Sequence, residues 1–186
     1  PVEEQAIMEA GGYVMGQPPY RSKQRVAAAA VLAIETAMRQ GEVMQLTPEH
    51  LDFDGLVIRL HDHMTKGGEK RSIPISERAY SVLCDVLTVY YEKGFKTLFG
   101  IKAENCSQVF RRIRDKAELG DLTFHDTRRE ALSRMAKLFP VLELAKISGH
   151  KDVNLLLRVY YQTDEQDLVR RMHGASPGWD AFRERP

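Results

Sequence analysis

His125-Asp126-Thr127-Arg128-Arg129 is the stretch from which the rest of the chain becomes readable. On a helix, His125 and Arg128 are three positions apart and share a face. Alone, the stretch reads as a helix cap beside a salt-bridging arginine. Three other segments change that. Downstream, Ser148-Gly149-His150-Lys151-Asp152 is followed by Arg158-Val159-Tyr160-Tyr161. Upstream, Thr65-Lys66-Gly67-Gly68 is followed by Arg71-Ser72-Ile73-Pro74-Ile75. Further upstream lies Glu35-Thr36-Ala37-Met38-Arg39-Gln40-Gly41-Glu42.

Each segment has an ordinary reading. Arg39 suits the C-terminal end of an apolar helix, where a cation is favoured. Lys66 beside a Gly-Gly turn reads as a solvated turn lysine. His150 reads as a half-buried histidine, and Tyr160 and Tyr161 as packing residues. Taken together, the residue types suit one reaction. Two guanidiniums grip the non-bridging oxygens of a phosphodiester bidentately and offset the charge that builds on a pentavalent phosphorane. A histidine titrating near neutrality shares or moves a proton. A lysine on a hairpin protonates the leaving oxygen. A tyrosine hydroxyl, ordinarily titrating at about 10, is a nucleophile that needs such help. The arginines supply the positive charge, so no metal or other cofactor is called for.

The surrounding pattern is mostly helical. Helix propensity from Ser22 to about Arg39 is high, and Glu42 to Leu46 reads as another turn. Thr47-Pro48-Glu49 marks a further helix start. Leu56, Ile58 and Leu60 then alternate with Val57, Arg59 and His61, which predicts a strand. Gly67-Gly68 turns the chain, and Arg71 to Ile75 returns as a second strand. Helices are expected from Ser76 to Lys93, Glu104 to Ala117, Asp126 to Leu138, Val141 to Ser148 and Asp164 to Met172. The expected class is α+β, mainly α-helical with a small antiparallel β-hairpin.

Composition narrows the setting. The 186 residues, 43% hydrophobic, suit one domain with a real core. No run of about 18 apolar residues is present to span a membrane, and the N-terminus has no signal-peptide pattern. Cys84 and Cys106 match no metal spacing and read as buried free thiols in a reducing compartment. The net charge of +1 says little, but residues 102 to 158 hold twelve Lys/Arg against eight Asp/Glu. Arg111, Arg112, Arg114 and Lys116 form the densest basic run, which suits either a solvated helix face or phosphate neutralisation. A start at Pro1 rather than Met points to a fragment or a processed chain.

The four segments, in the order Arg, Lys, His-x-x-Arg, His, Tyr, resemble the catalytic domain of tyrosine recombinases of the phage integrase type. The resemblance runs from about Ala27 to Met172. It implies the tyrosine recombinase (DNA breaking-rejoining enzyme) catalytic-domain fold, and a DNA integration or recombination activity. Arg39, Lys66, His125, Arg128, His150 and Tyr160 would be catalytic, with Arg111, Arg112 and Arg129 as candidate DNA contacts. The tyrosine would form a 3′-phosphotyrosine and free a 5′-hydroxyl, without metal or ATP. The partner would be double-stranded DNA, bound by a homotetramer that is monomeric when isolated. The setting would be a bacterial or phage-encoded protein, cytoplasmic and on the nucleoid. Residues 1–172 would form the catalytic domain and 173–186 a C-terminal tail, whose Trp179 and Phe182 would dock on a neighbouring protomer or on their own domain. The family's N-terminal DNA-binding domain is not found in this chain.

The chain departs from the family pattern at three places. Ala37 stands where Gly is frequent, and Arg129 where His is frequent. The usual spacing from His150 points to Val159 rather than to a tyrosine. Counting forward instead, a leucine often follows the nucleophile by eight positions; from Tyr160 this reaches Leu168, after Asp167, and from Tyr161 it reaches Val169. Tyr160 is therefore the expected nucleophile. Two rival readings are a non-catalytic DNA-binding regulator of the same fold and a metal-dependent nuclease using His125, Asp126 and His150. His61-Asp62-His63 invites a metal reading too, but suggests no third ligand. The related type IB topoisomerases share the chemistry.

Overall fold

A helix that is apolar on every side belongs inside a protein, and Val26 to Leu32 show at most 1% exposure in the computed structural model. This helix, α2 (Ser22–Thr36), is the axis on which α1 (Val2–Gly11), α4 (Glu77–Lys93), α5 (Ala103–Lys116) and α6 (Phe124–Met135) pack. The remaining helices are the short α3 (Gln40–Met44), α7 (Val141–Ser148), α8 (Val153–Tyr160) and α9 (Glu165–Ala175). The structure describes residues 2–65, 67–161 and 165–175. Lys66 and residues 176–186, including Trp179 and Phe182, lie outside the described residues.

The expected class is observed: a mainly helical domain with a small antiparallel sheet. The sheet has a strand not read from the sequence, β1 (Leu51–Asp52), beside β2 (Val57–Leu60) and β3 (Arg71–Pro74), in the order β1-β2-β3. Ile58 pairs with Ile73 and Leu60 with Arg71. Ile58, Leu60 and Ile73 are buried, so period-two alternation places one sheet face on the core. By the same parity Arg71 faces inward with Ile73.

Several boundaries differ from the sequence expectation, each for a local reason. α2 does not run to Arg39. It stops at Thr36, whose hydroxyl donates to the Leu32 carbonyl at 2.6 Å, and Ala37 takes a left-handed φ of 52°. That conformation costs a non-glycine residue about 1–2 kcal/mol, and the full burial of Ala37 and Met38 accompanies it. Arg39 thus precedes α3 instead of ending α2. Ser22 is not the cap of α2: the Gln24 side chain accepts the Arg21 backbone N–H at 2.8 Å. Thr47-Pro48-Glu49 opens only a 3₁₀ turn, Pro48–His50. Asp62–Met64 is a second 3₁₀ turn, so His61 and His63 are not strand neighbours; their rings stack 5.8 Å apart. α1 and α8 were not anticipated. Cys84 and Cys106 are both free, but only Cys106 is buried, and burial pushes its thiol up to about 12. Cys84 lies on the outer face of α4, whose inner face carries Val82, Val86 and Val89.

Two apolar clusters meet at the end of α2. The larger joins α2 to the sheet, α4 and α5; the smaller joins Ala37, Ala131, Leu132, Met135, Leu144, Ala145 and Leu156, with Tyr160 and Tyr161 packed on it. α7 lies against β3 and ends at Gly149, φ 70°. The backbone N–H groups of Gly149 and His150 both donate to the Ala145 carbonyl, at 2.8 and 3.1 Å, which sets the direction in which the chain leaves α7. A Cβ on Gly149 would lie 3.1 Å from Arg71 Nη1. Gly149→Ala is therefore expected to cost about 1–2 kcal/mol from the left-handed backbone alone and more from the displaced guanidinium. Urea denaturation should show this as a lower midpoint at unchanged slope.

Candidate functional site

The break between α2 and α3, the β3 strand and the α7 C-terminus converge on one cleft of about 680 Å³. Arg39, Thr65, Gly67, Glu69, Arg71, Gly149, His150 and Lys151 are among its lining residues. The two residues flanking Lys66 therefore face the cleft. Thr65 holds the hairpin tip: its hydroxyl lies 3.0 Å from both the carbonyl and the amide nitrogen of Glu69.

Arg128 is buried, 3% exposed, within electrostatic range of Arg39 and His150 of the cleft. Its Nη1 donates to the Ala37 carbonyl and its Nη2 to the Ser148 carbonyl, the latter at 2.7 Å. One guanidinium thus ties the end of α2 to the end of α7. Of its five N–H donors, two are used in this way. Burial, and then the charge of Arg39, lower its pKa to about 10, which still leaves it a cation at neutral pH. The same environment places Glu42, Arg71 and Tyr160 within electrostatic range of it.

Arg39 is 30% exposed at the side chain and donates through Nη1 to Glu42 Oε1 at 3.1 Å. Its backbone N–H reaches Glu42 Oε2 at 2.7 Å. Glu42 is 2% exposed and also receives both terminal nitrogens of Arg71, at 3.0 and 2.6 Å. Burial alone would raise this carboxyl's pKa, but the Arg71 and Arg39 contacts outweigh it and hold Glu42 below the usual carboxylate range.

His150 is half-buried, and its Nδ1 lies 2.7 Å from Ser148 Oγ. The Ser148 hydroxyl proton is already committed to the Leu144 carbonyl at 2.6 Å. Ser148 Oγ can then only accept, so Nδ1 carries the imidazole proton and Nε2 presents a lone pair. Burial first, then Arg128, Arg39, Arg71 and His125, push His150 down to about 4. It is a neutral imidazole at pH 7.

His125 is exposed, near the start of α6, in a groove with Gln40, Ser107, Arg111 and Thr123. It is close enough to weigh on His150, but its side chain does not share Arg128's burial. The two tyrosines part ways. Tyr161 donates its hydroxyl to the Phe139 carbonyl at 2.5 Å, and burial raises its pKa. Tyr160, the last residue of α8, is half-buried against the smaller cluster, and its hydroxyl has no hydrogen bond to a described residue. α8 runs as regular helix from Val153 to Tyr160, and Val159 points out, 50% exposed.

The basic run of α5 divides. Arg111 and Arg112 are solvent-facing. Arg114 is bound to Asp115 at 2.6 Å, and Lys116 donates to the Ala10 carbonyl at 3.2 Å. Arg129 is 67% exposed and lies 3.4 Å from Asp126. Among the described residues, no group of three or more His, Cys, Asp or Glu is placed to hold a metal ion. None of their helices is long and apolar enough to cross a membrane.

The site's two inward ion-pairing residues, Glu42 and Arg71, were not among the sequence candidates. A signal was available for Arg71: strand parity aligns it with Ile73 and Ile75, so an inward arginine required a buried acid.

The fold is that of a tyrosine recombinase catalytic domain. Residues 3–167 match the Phage integrase family, and the chain belongs to it. A putative integrase/recombinase of Haemophilus influenzae is 41% identical over 148 residues, 80% of this chain and 47% of that protein. The shufflon-specific DNA recombinase of Escherichia coli is 36% identical over 155 residues, 80% of this chain and 39% of that protein. The chain thus spans less than half the length of these curated relatives. Among solved structures, the Tn1549 transposon integrase in complex with circular intermediate DNA superposes with a TM-score of 0.69. It shares 22% identity and covers 91% of this chain and 62% of its own. XerA recombinase superposes with a TM-score of 0.66 at 18% identity, covering 94% and 62%. At these identities the likeness is one of fold.

A titration checks the His150 environment. Free histidine takes a proton near 6.5, whereas folded His150 is expected to decline it until about pH 4. Between those values the unfolded chain binds the extra proton, so this residue's contribution to stability falls as pH drops from about 6.5 toward 4. NMR of the imidazole nitrogens should show a neutral ring protonated on Nδ1 at pH 7. A ring protonated on Nε2, or titrating near 6.5, would contradict the Ser148 assignment.

Proposed function

We propose that this domain cleaves and rejoins DNA strands through a covalent 3′-phosphotyrosine. The observation that carries the reading is that Arg39 and neutral His150 line one cleft, with buried Arg128 in electrostatic range of both, while the hydroxyl of Tyr161, and not that of Tyr160, is tied to the backbone. Arg39 and Arg128 take the non-bridging oxygens of the scissile phosphate. Their charge is greatest in value when a fifth oxygen joins the phosphorus, because it is fixed before the reaction begins. The Tyr160 oxygen attacks phosphorus and loses its proton. The 5′-oxygen departs and takes up a proton, which Lys66 supplies. His150, with its Nε2 lone pair open, accepts the proton that the Tyr160 hydroxyl gives up, and His125 approaches from the α6 side. The phosphotyrosine keeps the energy of the broken bond, so attack by a 5′-hydroxyl on it rejoins DNA without ATP.

The partner is double-stranded DNA, met by the cleft and by the exposed Arg111, Arg112 and Arg129. Such contacts position the duplex more than they read its sequence. Recombination exchanges strands between two sites, which calls for an assembly of four protomers on DNA from a chain that is monomeric in isolation. Residues 1–172 act as the catalytic unit and 173–186 as the tail that couples protomers. The setting is the bacterial nucleoid.

Trapping on a nicked suicide substrate tests the reading. Tyr160→Phe should bind DNA and form no covalent complex, while Tyr161→Phe should retain it. The reverse result moves the nucleophile by one position, and activity in both variants overturns the recombinase reading. Arg39→Ala and Arg128→Ala should lose at least about 10²-fold in cleavage, and lysine should not restore it because the bidentate fork is gone. A 5′-bridging phosphorothiolate, whose leaving group needs no proton, should rescue Lys66→Ala but not Arg39→Ala. Equal failure of rescue would remove Lys66 from the mechanism.

A further inference from the structure

Arg71 spends its whole fork inside the protein. Its Nη1 and Nη2 bind Glu42 at 3.0 and 2.6 Å, and its Nε donates to the Ile147 carbonyl at 3.0 Å. The side chain is 6% exposed and its partner carboxylate 2%. Room for it exists because position 149 has no Cβ. Burying such a pair is costly, and an apolar pair of similar size would often serve stability as well. What the ion pair adds is geometry. Glu42 uses the oxygen that receives Arg71 Nη1 to receive Arg39 Nη1 at 3.1 Å as well. The Ile147 carbonyl belongs to the last turn of α7, just before Gly149 and His150. Arg71 itself follows Lys66 by five positions on the returning strand of the hairpin.

We propose that Arg71 is a positioning residue for DNA cleavage. Through Glu42 it sets the direction of the Arg39 guanidinium, and through the Ile147 carbonyl it sets the turn that presents His150. It also answers the Glu42 charge, so that Arg39 keeps a net positive charge toward the phosphate. Lysine cannot do this, because one ammonium cannot bridge both carboxylate oxygens and a carbonyl in fixed directions. The proposal rests on the reading of Arg39 as a phosphate ligand.

The test is single-turnover cleavage of the nicked suicide substrate by the intact protein and by Arg71→Lys, Arg71→Gln, Arg39→Lys and the Arg71→Lys/Arg39→Lys double variant. DNA affinity and melting temperature are measured alongside. Arg71→Lys and Arg71→Gln should bind DNA within about threefold of wild type yet cleave at least about tenfold more slowly at saturating DNA. Arg71→Lys should slow the Arg39→Lys variant by clearly less than it slows the wild type, because the route through Arg39 has nothing left to act on and only the route through the Ile147 carbonyl remains. Defects that multiply, a cleavage loss that follows only the unfolded fraction, or a wild-type rate in both Arg71 variants would overturn the proposal while Arg39 dependence stands. A wild-type rate in Arg39→Lys would instead remove the phosphate-site reading and this proposal with it.

Discussion

Three guanidiniums, those of Arg39, Arg71 and Arg128, crowd the end of a buried helix, and among the described residues Glu42 is the carboxylate bonded to two of them and within range of the third. The balance is left positive by construction. Like charges held this close in a partly dry site repel, and burial first, then the same positive field, keep His150 from taking a proton. The arrangement persists because backbone carbonyls absorb part of the charge: Ala37 and Ser148 on Arg128, Ile147 on Arg71. Under the proposed function, a phosphodiester entering the cleft would supply the missing anion, and its binding would strengthen as the phosphorane gains charge.

The scaffold explains why those carbonyls are available. A regular helix would bond its carbonyls internally, but α2 ends abruptly at Thr36 and Ala37 turns left-handed. α7 ends equally sharply at Gly149, φ 70°. Helix ends leave carbonyls without partners, and Arg128 takes one from each. The left-handed cost at Ala37, where a glycine would pay nothing, is carried by the fully buried contacts of α2 and the smaller apolar cluster. Site and core are therefore one unit: Arg39 and Arg128 cannot be placed as they are without the helix termination that the core enforces.

Much of this was legible from local chemistry. The helical runs of α4, α5 and α7 and the β2–β3 hairpin followed from periodicity, capping residues and glycines. The segments around Arg39, Lys66, His125, Arg128, His150 and Tyr160 were found by residue type and order. Short elements escaped: β1 has two residues and too little length for a period, and α8 follows Asp152 too closely for its cap to stand apart from the His150 turn. Charge partners escaped as well. Arg114 and Lys116 looked like members of one basic face, yet Arg114 pairs with Asp115 and Lys116 donates to the Ala10 carbonyl, while Arg111 and Arg112 face out.

The sequence by itself determined the residue types, their order and the alternation that turns Arg71 inward, because these depend on near neighbours and on fixed periods of the backbone. The tertiary structure alone decided that Arg39 precedes α3 instead of ending α2, that Glu42 is shared by two arginines, and that His150 carries its proton on Nδ1. It also separated the adjacent tyrosines by tying Tyr161 to the Phe139 carbonyl. The Glu42–Arg71 pair and the Tyr161–Phe139 bond join groups far apart in the chain. A pKa, a tautomer or a free hydroxyl is set by whatever packing brings within a few ångströms, and no local pattern records that.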